Sequence, residues 1–173
     1  MPLVLCPGIH SPYLTEQFLA ALALSEPPLV IPTEVIPVYS PPHVLAFLQS
    51  SYPPATSLVF LGFSAGVVGS FGAALGWQAG GGKVQAFIAM DGWGVPLFAN
   101  FPLYRLSHDH FTHWSCQLLG GSQESFYADP GVPHLELWRS PDQAEGWQLG
   151  PSSRTRTTAA EFLRHLLGNY AVG

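Results

Sequence analysis

Short apolar runs alternate along the chain with longer segments in which apolar residues recur at helical spacing. Apolar runs bounded by turn residues are typical of buried strands, and apolar residues three or four positions apart are typical of helices that pack on a core. The pattern predicts strands at residues 3–6, 34–39, 57–61, 83–90 and 124–128. It predicts helices over residues 12–25, 41–52, 67–79, 108–119 and 157–170.

Strands that alternate with helices indicate a parallel sheet with right-handed crossovers. We therefore expect a single doubly wound α/β domain over residues 1–173, with strand order 2-1-3-4-5. Residues 134–139 alternate between apolar and polar, and too few residues precede them for a crossover helix. They predict an antiparallel strand that forms a hairpin with residues 146–149. In such a sheet, a site lies at the carboxyl ends of strands one and three.

Composition narrows the classes of partner. Charged residues make up 10% of the chain and the net charge is −5 with no basic run, which argues against a nucleic-acid partner. So few charges leave a protein partner or a membrane surface open. No apolar stretch reaches the roughly 18 residues of a membrane span, and the first residues lack the basic region of a signal peptide. Cys6 and Cys116 form no paired motif, so we expect buried, reduced thiols and a cytoplasmic location.

The pentapeptide Gly62-Phe63-Ser64-Ala65-Gly66 carries the strongest chemical signal. It follows the apolar run 57–61 and precedes a helical segment, so Ser64 falls on a sharp strand-to-helix turn. Flanking glycines suit a turn in which a Cβ would collide with neighbouring elements. The helix N-terminus after Ser64 would present free N–H groups to a developing negative charge. The other interpretation is a glycine-rich turn in which Ser64 only caps the helix.

This G-x-S-x-G turn, in its strand and helix context, resembles the nucleophile elbow of the α/β-hydrolase superfamily. The resemblance implies a small, cap-less member with Ser64 as nucleophile. It also implies an oxyanion hole made by the N–H groups of Ala65 and Ile9, the latter in the loop that ends at His10. The acid of the family would be Asp129 or, as in some lipases, Asp91.

The histidine of the triad is harder to place, because in the family it follows the last strand. Beyond position 134 the chain has only His165, in the closing helix. We therefore consider His108 or His110 as the base with Asp91 as its orienter, since both histidines lie at the start of a predicted helix. A helix N-terminus lowers the pKa of a histidine and keeps it neutral. His134 and His10 are the alternatives.

Two further patterns have competing interpretations. The histidines at 108, 110 and 113 could suggest a metal site, but only the last two share a helix face, so we expect no metal. The aromatic segment that begins at Trp93 is either a lid or acyl pocket over Ser64, or core packing of a long connection.

Two functions are open at this point. The first is a serine esterase, thioesterase or lipase-like hydrolase that acts without a cofactor on a small substrate with an apolar acyl part. The second is a hydrolase-like scaffold without a working triad that serves as a binding or assembly protein. The first predicts a pocket with Ser64 at its base, and the second predicts an occluded Ser64 with a large exposed apolar patch.

Overall fold

The computed structural model describes residues 1–172, in which one eight-stranded sheet lies between two groups of helices. The strands are β1 Leu3–Cys6, β2 Leu29–Val30, β3 Ser57–Phe63, β4 Lys83–Met90, β5 Leu103–Ser107, β6 Glu124–Ala128, β7 Glu145–Leu149 and β8 Arg154–Thr158. The helices are α1 Pro12–Leu22, α2 Pro41–Ser51, α3 Ala65–Ala79, α4 His110–Gln117, α5 His134–Arg139 and α6 Ala159–Asn169. The predicted α/β class is confirmed.

The sheet is mostly parallel, and its strand order is β2-β1-β3-β4-β5-β6-β7-β8. Strands β1 to β6 pair in parallel, whereas β7 is antiparallel to both of its neighbours. The predicted order 2-1-3-4-5 differs from this, because the edge strand is formed by residues 29–30 instead of 34–39 and because β5 and β8 are strands that the sequence pattern does not predict. The carboxyl ends of β1, β3 and β4 nevertheless meet at one edge, where parallel α/β sheets place their sites.

Both faces of the central strands β1, β3 and β4 are buried, which explains their apolar runs. In β3, Val59 and Leu61 face one helix group, while Leu58 and Phe60 face the other. The first group is α1, α5 and α6, and the second includes α2 and α3. This packing fixes the central strands, and with them the loops at their carboxyl ends.

The predicted strand at 34–39 is wrong. These residues form turns, in which the N–H groups of Val35 and Ile36 donate to the carbonyl of Pro32. Pro37 has no N–H to offer a sheet, which favours the turn. The edge strand is instead β2, whose two residues pair with Val4 and Leu5.

The predicted strand at 134–139 is also wrong, because these residues form α5. Pro133 occupies the N-cap position and Glu136 lies in the first turn, where an acidic side chain stabilises a helix. Leu137 and Trp138 are buried by the helix. The antiparallel partner of β6 is β7, which pairs in turn with β8.

Other element bounds also differ from the prediction, by three residues or fewer at the ends of α1, α2, β3 and α3 and by more between residues 93 and 119. The segment expected to be irregular up to residue 106 contains β5, which pairs with β4. Ser107 ends that strand, and the cap of α4 is Asp109, whose side chain accepts from the N–H of Thr112 at 2.7 Å. The closing helix α6 begins two residues late, because Thr158 caps it through a capping box with Glu161.

None of the helices described over residues 1–172 combines the length and apolarity needed to span a bilayer. Cys6 and Cys116 are both free and buried. Burial raises the pKa of the Cys6 thiol to about 12, so this side chain is a protonated core residue.

A substitution at Gly66 would test how closely α3 approaches the sheet. A Cβ at this position would overlap the backbone carbonyl groups of Cys6 and Pro7, neither of which can move without disturbing β1. We expect Gly66→Ala to lower the free energy of unfolding by about 1–3 kcal/mol. Chemical denaturation followed by circular dichroism would measure the change.

The matched control is Gly168→Ala in α6, where a new Cβ meets no atom within 4 Å. Alanine there should raise the free energy of unfolding by about 0.4–1 kcal/mol, because the unfolded chain loses freedom. Equal effects of the two substitutions would contradict the close approach at Gly66.

Candidate functional site

Ser64 lies in the turn between β3 and α3 with a strained backbone. Its φ is 53° and its ψ is −122°, a conformation that costs a non-glycine residue roughly 1–3 kcal/mol. The surrounding structure holds it there: the N–H of Ser64 donates to the carbonyl of Met90 at 3.0 Å, and its carbonyl accepts from Val67 at 3.1 Å. The strain presents the Ser64 hydroxyl at the carboxyl edge of the sheet.

The two glycines of the motif permit this turn. A Cβ on Gly62 would lie 2.5 Å from the Oγ of Ser70, and a Cβ on Gly66 would meet the end of β1. The sequence-based expectation of a serine between two sterically required glycines is therefore confirmed as geometry.

His134, the first residue of α5, is the histidine that reaches Ser64. Its Nε2 lies 3.1 Å from the Ser64 Oγ, and its Nδ1 lies 2.7 Å from the Oδ2 of Asp91. The ring stacks on Phe63 with centroids 4.8 Å apart. A hydrogen bond of 2.9 Å from the Val132 N–H to the carbonyl of His108 holds the preceding loop against the site.

Asp91 follows β4 and is the buried acceptor of the site. Its side chain is 1% exposed, and its backbone has φ of 51° with its N–H donating to Leu106. Burial opposes ionisation, but hydrogen bonds from His108 and His134 outweigh it, so the pKa of Asp91 is lowered. An ionised carboxylate only accepts. The Nδ1 of His134 therefore carries its proton, which leaves Nε2 free to accept from the Ser64 hydroxyl.

His108 is a second partner of the same carboxylate rather than of Ser64. Its Nδ1 lies 2.9 Å from the Asp91 Oδ2, and its backbone N–H donates to Oδ1 at 2.8 Å. The hydrogen bond to Asp91 raises the pKa of His108 despite partial burial, and Asp109, 3.5 Å from the Nε2, adds to the effect. The expectation that the helix N-terminus lowers this pKa is wrong, because His108 precedes α4 and faces two carboxylates.

Asp91, His108 and His134 are also the group that could hold a metal ion, since one ligand atom of each lies within 4.8 Å of the others. The two Nδ1–Oδ2 distances of 2.7 and 2.9 Å are hydrogen-bond lengths. Ligands on a tetrahedral zinc lie about 3.3 Å apart. The structure therefore holds these groups as a hydrogen-bonded network.

The structure does not bring His110 or Asp129 to Ser64. The rings of His110 and His113 both lie 5.1 Å from Tyr127, between α4 and β6. Burial lowers the pKa of His113 to about 4. Asp129 accepts from the Trp147 Nε1 at 2.9 Å at the β6–β7 end of the sheet. Neither His110 nor Asp129 contributes to the cavity at Ser64.

The loop after β1 lies beside Ser64, as its position in the sheet predicts. A Cβ added to Gly8 would lie 3.1 Å from the Cβ of Ser64. Within residues 1–172, neither the N–H of Ile9 nor that of Ala65 donates to another backbone group. His10 packs its ring against Phe63 and Trp138, with centroids 5.7 and 5.9 Å away, rather than reaching Ser64.

Ser64 opens into a cavity of about 570 Å³. Its polar lining includes Asp91, His108 and His134, and its apolar lining consists of Ala65, Val68, Trp93, Val95 and Phe111. The buried guanidinium of Arg105 fixes this apolar wall, because it donates to the carbonyls of Val95, Leu119 and Gly120 at 3.1–3.2 Å. The aromatic segment at Trp93 thus lines the cavity and also packs into the core, through Leu97 and Phe101.

The sequence offers His134 only as an alternative to His108 and His110, and its pattern predicts a strand over residues 134–139. The informative signal was the preceding Asp129-Pro130-Gly131-Val132-Pro133, which is loop sequence followed by a proline suited to a helix start. In the structure, His134 follows β6, which is the last of the parallel strands. The chain order is Ser64, Asp91, His134.

Comparison of the chain with known protein-family models finds no match, and comparison with curated proteins finds no sequence of significant similarity. An imidazole between a hydroxyl and a carboxylate can take the hydroxyl proton while the carboxylate stabilises the resulting charge.

The pair formed by Asp91 and His108 predicts a pH-dependent stability. Because the pKa of His108 is raised above 6.5 in the folded protein, the stabilisation is complete below that pH and is lost as the pH rises through the raised pKa. We expect the melting temperature of wild type to exceed that of His108→Asn by more at about pH 6 than at about pH 9. Thermal unfolding at a series of pH values would measure this.

The groups that face His108 are Asp91, Asp109 and His134, so the control is the same substitution in an Asp91→Asn background. Without the Asp91 charge, most of the pH dependence of the His108→Asn effect should disappear. An effect that grows toward alkaline pH would contradict the assignment.

Proposed function

We propose that this protein is a serine hydrolase of the α/β-hydrolase type, acting on an ester or thioester with an apolar acyl part. The observation that carries the proposal is the chain of contacts from the Ser64 Oγ to the His134 Nε2 at 3.1 Å and from the His134 Nδ1 to Asp91 at 2.7 Å. The order of these residues along the chain is the one that the superfamily uses.

The first half-reaction forms an acyl-enzyme. The Ser64 Oγ attacks the carbonyl carbon while the His134 Nε2 accepts the hydroxyl proton. The carbonyl oxygen becomes an oxyanion, for which the N–H groups of Ile9 and Ala65 are the proposed donors. When the tetrahedral intermediate collapses, the bond to the leaving alcohol or thiol breaks and His134 returns the proton to it.

The second half-reaction regenerates the enzyme. A water molecule gives a proton to the His134 Nε2 and attacks the acyl carbon of the Ser64 ester. Collapse of the second tetrahedral intermediate releases the carboxylic acid and returns the proton to the Ser64 oxygen. No cofactor takes part in this sequence.

Asp91 orients His134 and stabilises the imidazolium that forms in each half-reaction. The role requires a carboxylate that stays ionised although its side chain is 1% exposed. His108 supports this through its two hydrogen bonds to the carboxylate of Asp91. We therefore propose His134 as the base in place of His108 or His110, and Asp91 as the orienter in place of Asp129.

The lining of the cavity favours an apolar, uncharged acyl part. Val68, Trp93, Val95 and Phe111 supply most of the apolar lining, and the lining carboxylates of Asp91 and Asp109 would repel an anion. A volume of about 570 Å³ suits a small ligand. Two free, buried thiols suit the cytoplasm, which we propose as the location.

The alternative function, a binding or assembly protein without a working triad, predicts an occluded Ser64 and a large exposed apolar patch. The exposed side chains of Trp93, Phe111, Trp114 and Leu118 fit the second expectation, but the environment of Ser64 does not fit the first. Ser64 is instead half-buried and lines an open cavity together with His134. The buried carboxylate of Asp91 and the strained backbone at Ser64 and Asp91 lower the stability of the folded protein. Such strain is typical of active sites, and a binding scaffold would not require it. These observations favour the hydrolase.

A fluorophosphonate probe tests the nucleophile directly. We expect it to label wild-type protein, to label Ser64→Ala not at all, and to label His134→Asn at least roughly 10³-fold more slowly, because the hydroxyl loses its base. Gel fluorescence and intact mass spectrometry would measure the rate and the site of labelling.

The matched control is His110→Asn, which removes a histidine that lies against Tyr127 and away from Ser64. Its labelling rate should stay within about twofold of wild type. Folded wild-type protein that resists the probe, or equal losses in the two histidine variants, would refute the proposed mechanism.

A further inference from the structure

Helix α4 presents apolar side chains to solvent. Phe111, Trp114 and the C-cap residue Leu118 are spaced i, i+3 and i+7, so they lie on one side, and they are 63%, 55% and 71% exposed. The buried residues of the same helix are Thr112, His113 and Cys116. A surface helix normally has the opposite arrangement, with its polar face outward.

This exposed face is continuous with the mouth of the cavity at Ser64. The ring centroids of Phe111 and Trp114 lie 6.2 Å apart. Trp93, 67% exposed, joins the same surface by donating from its Nε1 to the Oγ of Ser115 at 3.1 Å. Phe111 and Trp93 also line the cavity. We call Trp93, Phe111, Trp114 and Leu118 together the aromatic rim.

The area of the aromatic rim argues against a second copy of the chain as its occupant. Three aromatic side chains and a leucine at these exposures present on the order of 500 Å². A stable protein interface buries about 800 Å² on each partner. A protein bound to the aromatic rim would also block the entry of substrate into the cavity. A lipid surface would instead deliver substrate to the same entrance.

The charge of this region indicates what kind of surface fits it. Between residues 92 and 123 the only Asp, Glu, Lys or Arg side chains are Arg105 and Asp109, and His108, whose pKa is raised, is paired with Asp91. Arg105 is 2% exposed and donates to backbone carbonyls, so it offers no cation to an anionic headgroup. The aromatic rim therefore complements an uncharged or zwitterionic surface and not an anionic one.

We propose that the aromatic rim docks this protein on the uncharged or zwitterionic surface of a lipid aggregate, with the Ser64 cavity facing that surface. Tryptophan and phenylalanine are the side chains that enter the boundary between headgroups and acyl chains. The docking itself stands apart from the proposed function. If the protein is docked in this way, an acyl ester can pass from the aggregate to Ser64 without crossing water. This consequence rests on the proposed function.

Phosphatidylcholine vesicles test the docking. We expect wild-type protein to co-sediment with them, and we expect the Trp114→Ser/Leu118→Ser variant to bind at least roughly tenfold more weakly, since it loses two side chains that would enter the lipid. Neither substituted residue lines the cavity. Adding phosphatidylserine to the vesicles should not strengthen binding.

The matched control is Tyr13→Ser in α1, which removes an aromatic side chain of similar exposure, 60%, outside the aromatic rim. Its vesicle binding should equal that of wild type. Equal losses in both variants, or wild-type protein that stays in the supernatant, would overturn the proposal. Sedimentation velocity without vesicles completes the test, since a dimer that the double substitution dissociates would make a second copy the occupant.

The outcomes for docking and for hydrolysis can be told apart. Ser64→Ala should bind vesicles like wild type whether or not the protein is a hydrolase. Vesicle binding without probe labelling would retain the docking and reject the proposed function. Probe labelling with no vesicle binding would retain the hydrolase and reject the lipid surface.

Discussion

The carboxylate of Asp91 is the interaction on which the site depends. It accepts from the backbone and the ring of His108 and from the ring of His134, so it joins the end of β4 to the segment before α4 and to the start of α5. The two residues that make these contacts lie 17 and 43 positions from Asp91 along the chain. Because a buried carboxylate without partners would be strongly unfavourable, these hydrogen bonds stabilise the mutual arrangement of the three segments.

Two neighbouring parallel strands end in the same kind of strained residue. Ser64 follows β3 with φ of 53°, and Asp91 follows β4 with φ of 51°. Each N–H is used by the next strand or turn: Ser64 donates to Met90, and Asp91 donates to Leu106. The sheet thus imposes both conformations, and the hydroxyl and the carboxylate emerge at one edge without relying on a flexible loop.

The small number of charged side chains affects the structure around the cavity. The region that forms the wall of the cavity and the aromatic rim uses its buried cation, Arg105, to satisfy the carbonyls of Val95, Leu119 and Gly120. The positive charge of Arg105 is therefore buried, whereas apolar side chains such as Trp114 are exposed. Burial and composition together leave the cavity with an apolar entrance.

The sequence by itself determined the α/β class, the turn at Ser64 and the candidacy of Asp91, because strand runs, helix starts and close-packed glycines are local signals. It did not determine that residues 134–139 form a helix, since six residues of mixed pattern fit either a strand or a helix until β7 takes the place beside β6. The tertiary structure alone decided which histidine reaches Ser64. That choice depends on β5, which the sequence pattern does not predict because its segment is aromatic and contains prolines. It also depends on the loop before His134, which a hydrogen bond to the carbonyl of His108 holds against the site. Ser64 and His134 are 70 positions apart, and no local pattern records a contact made across the sheet edge.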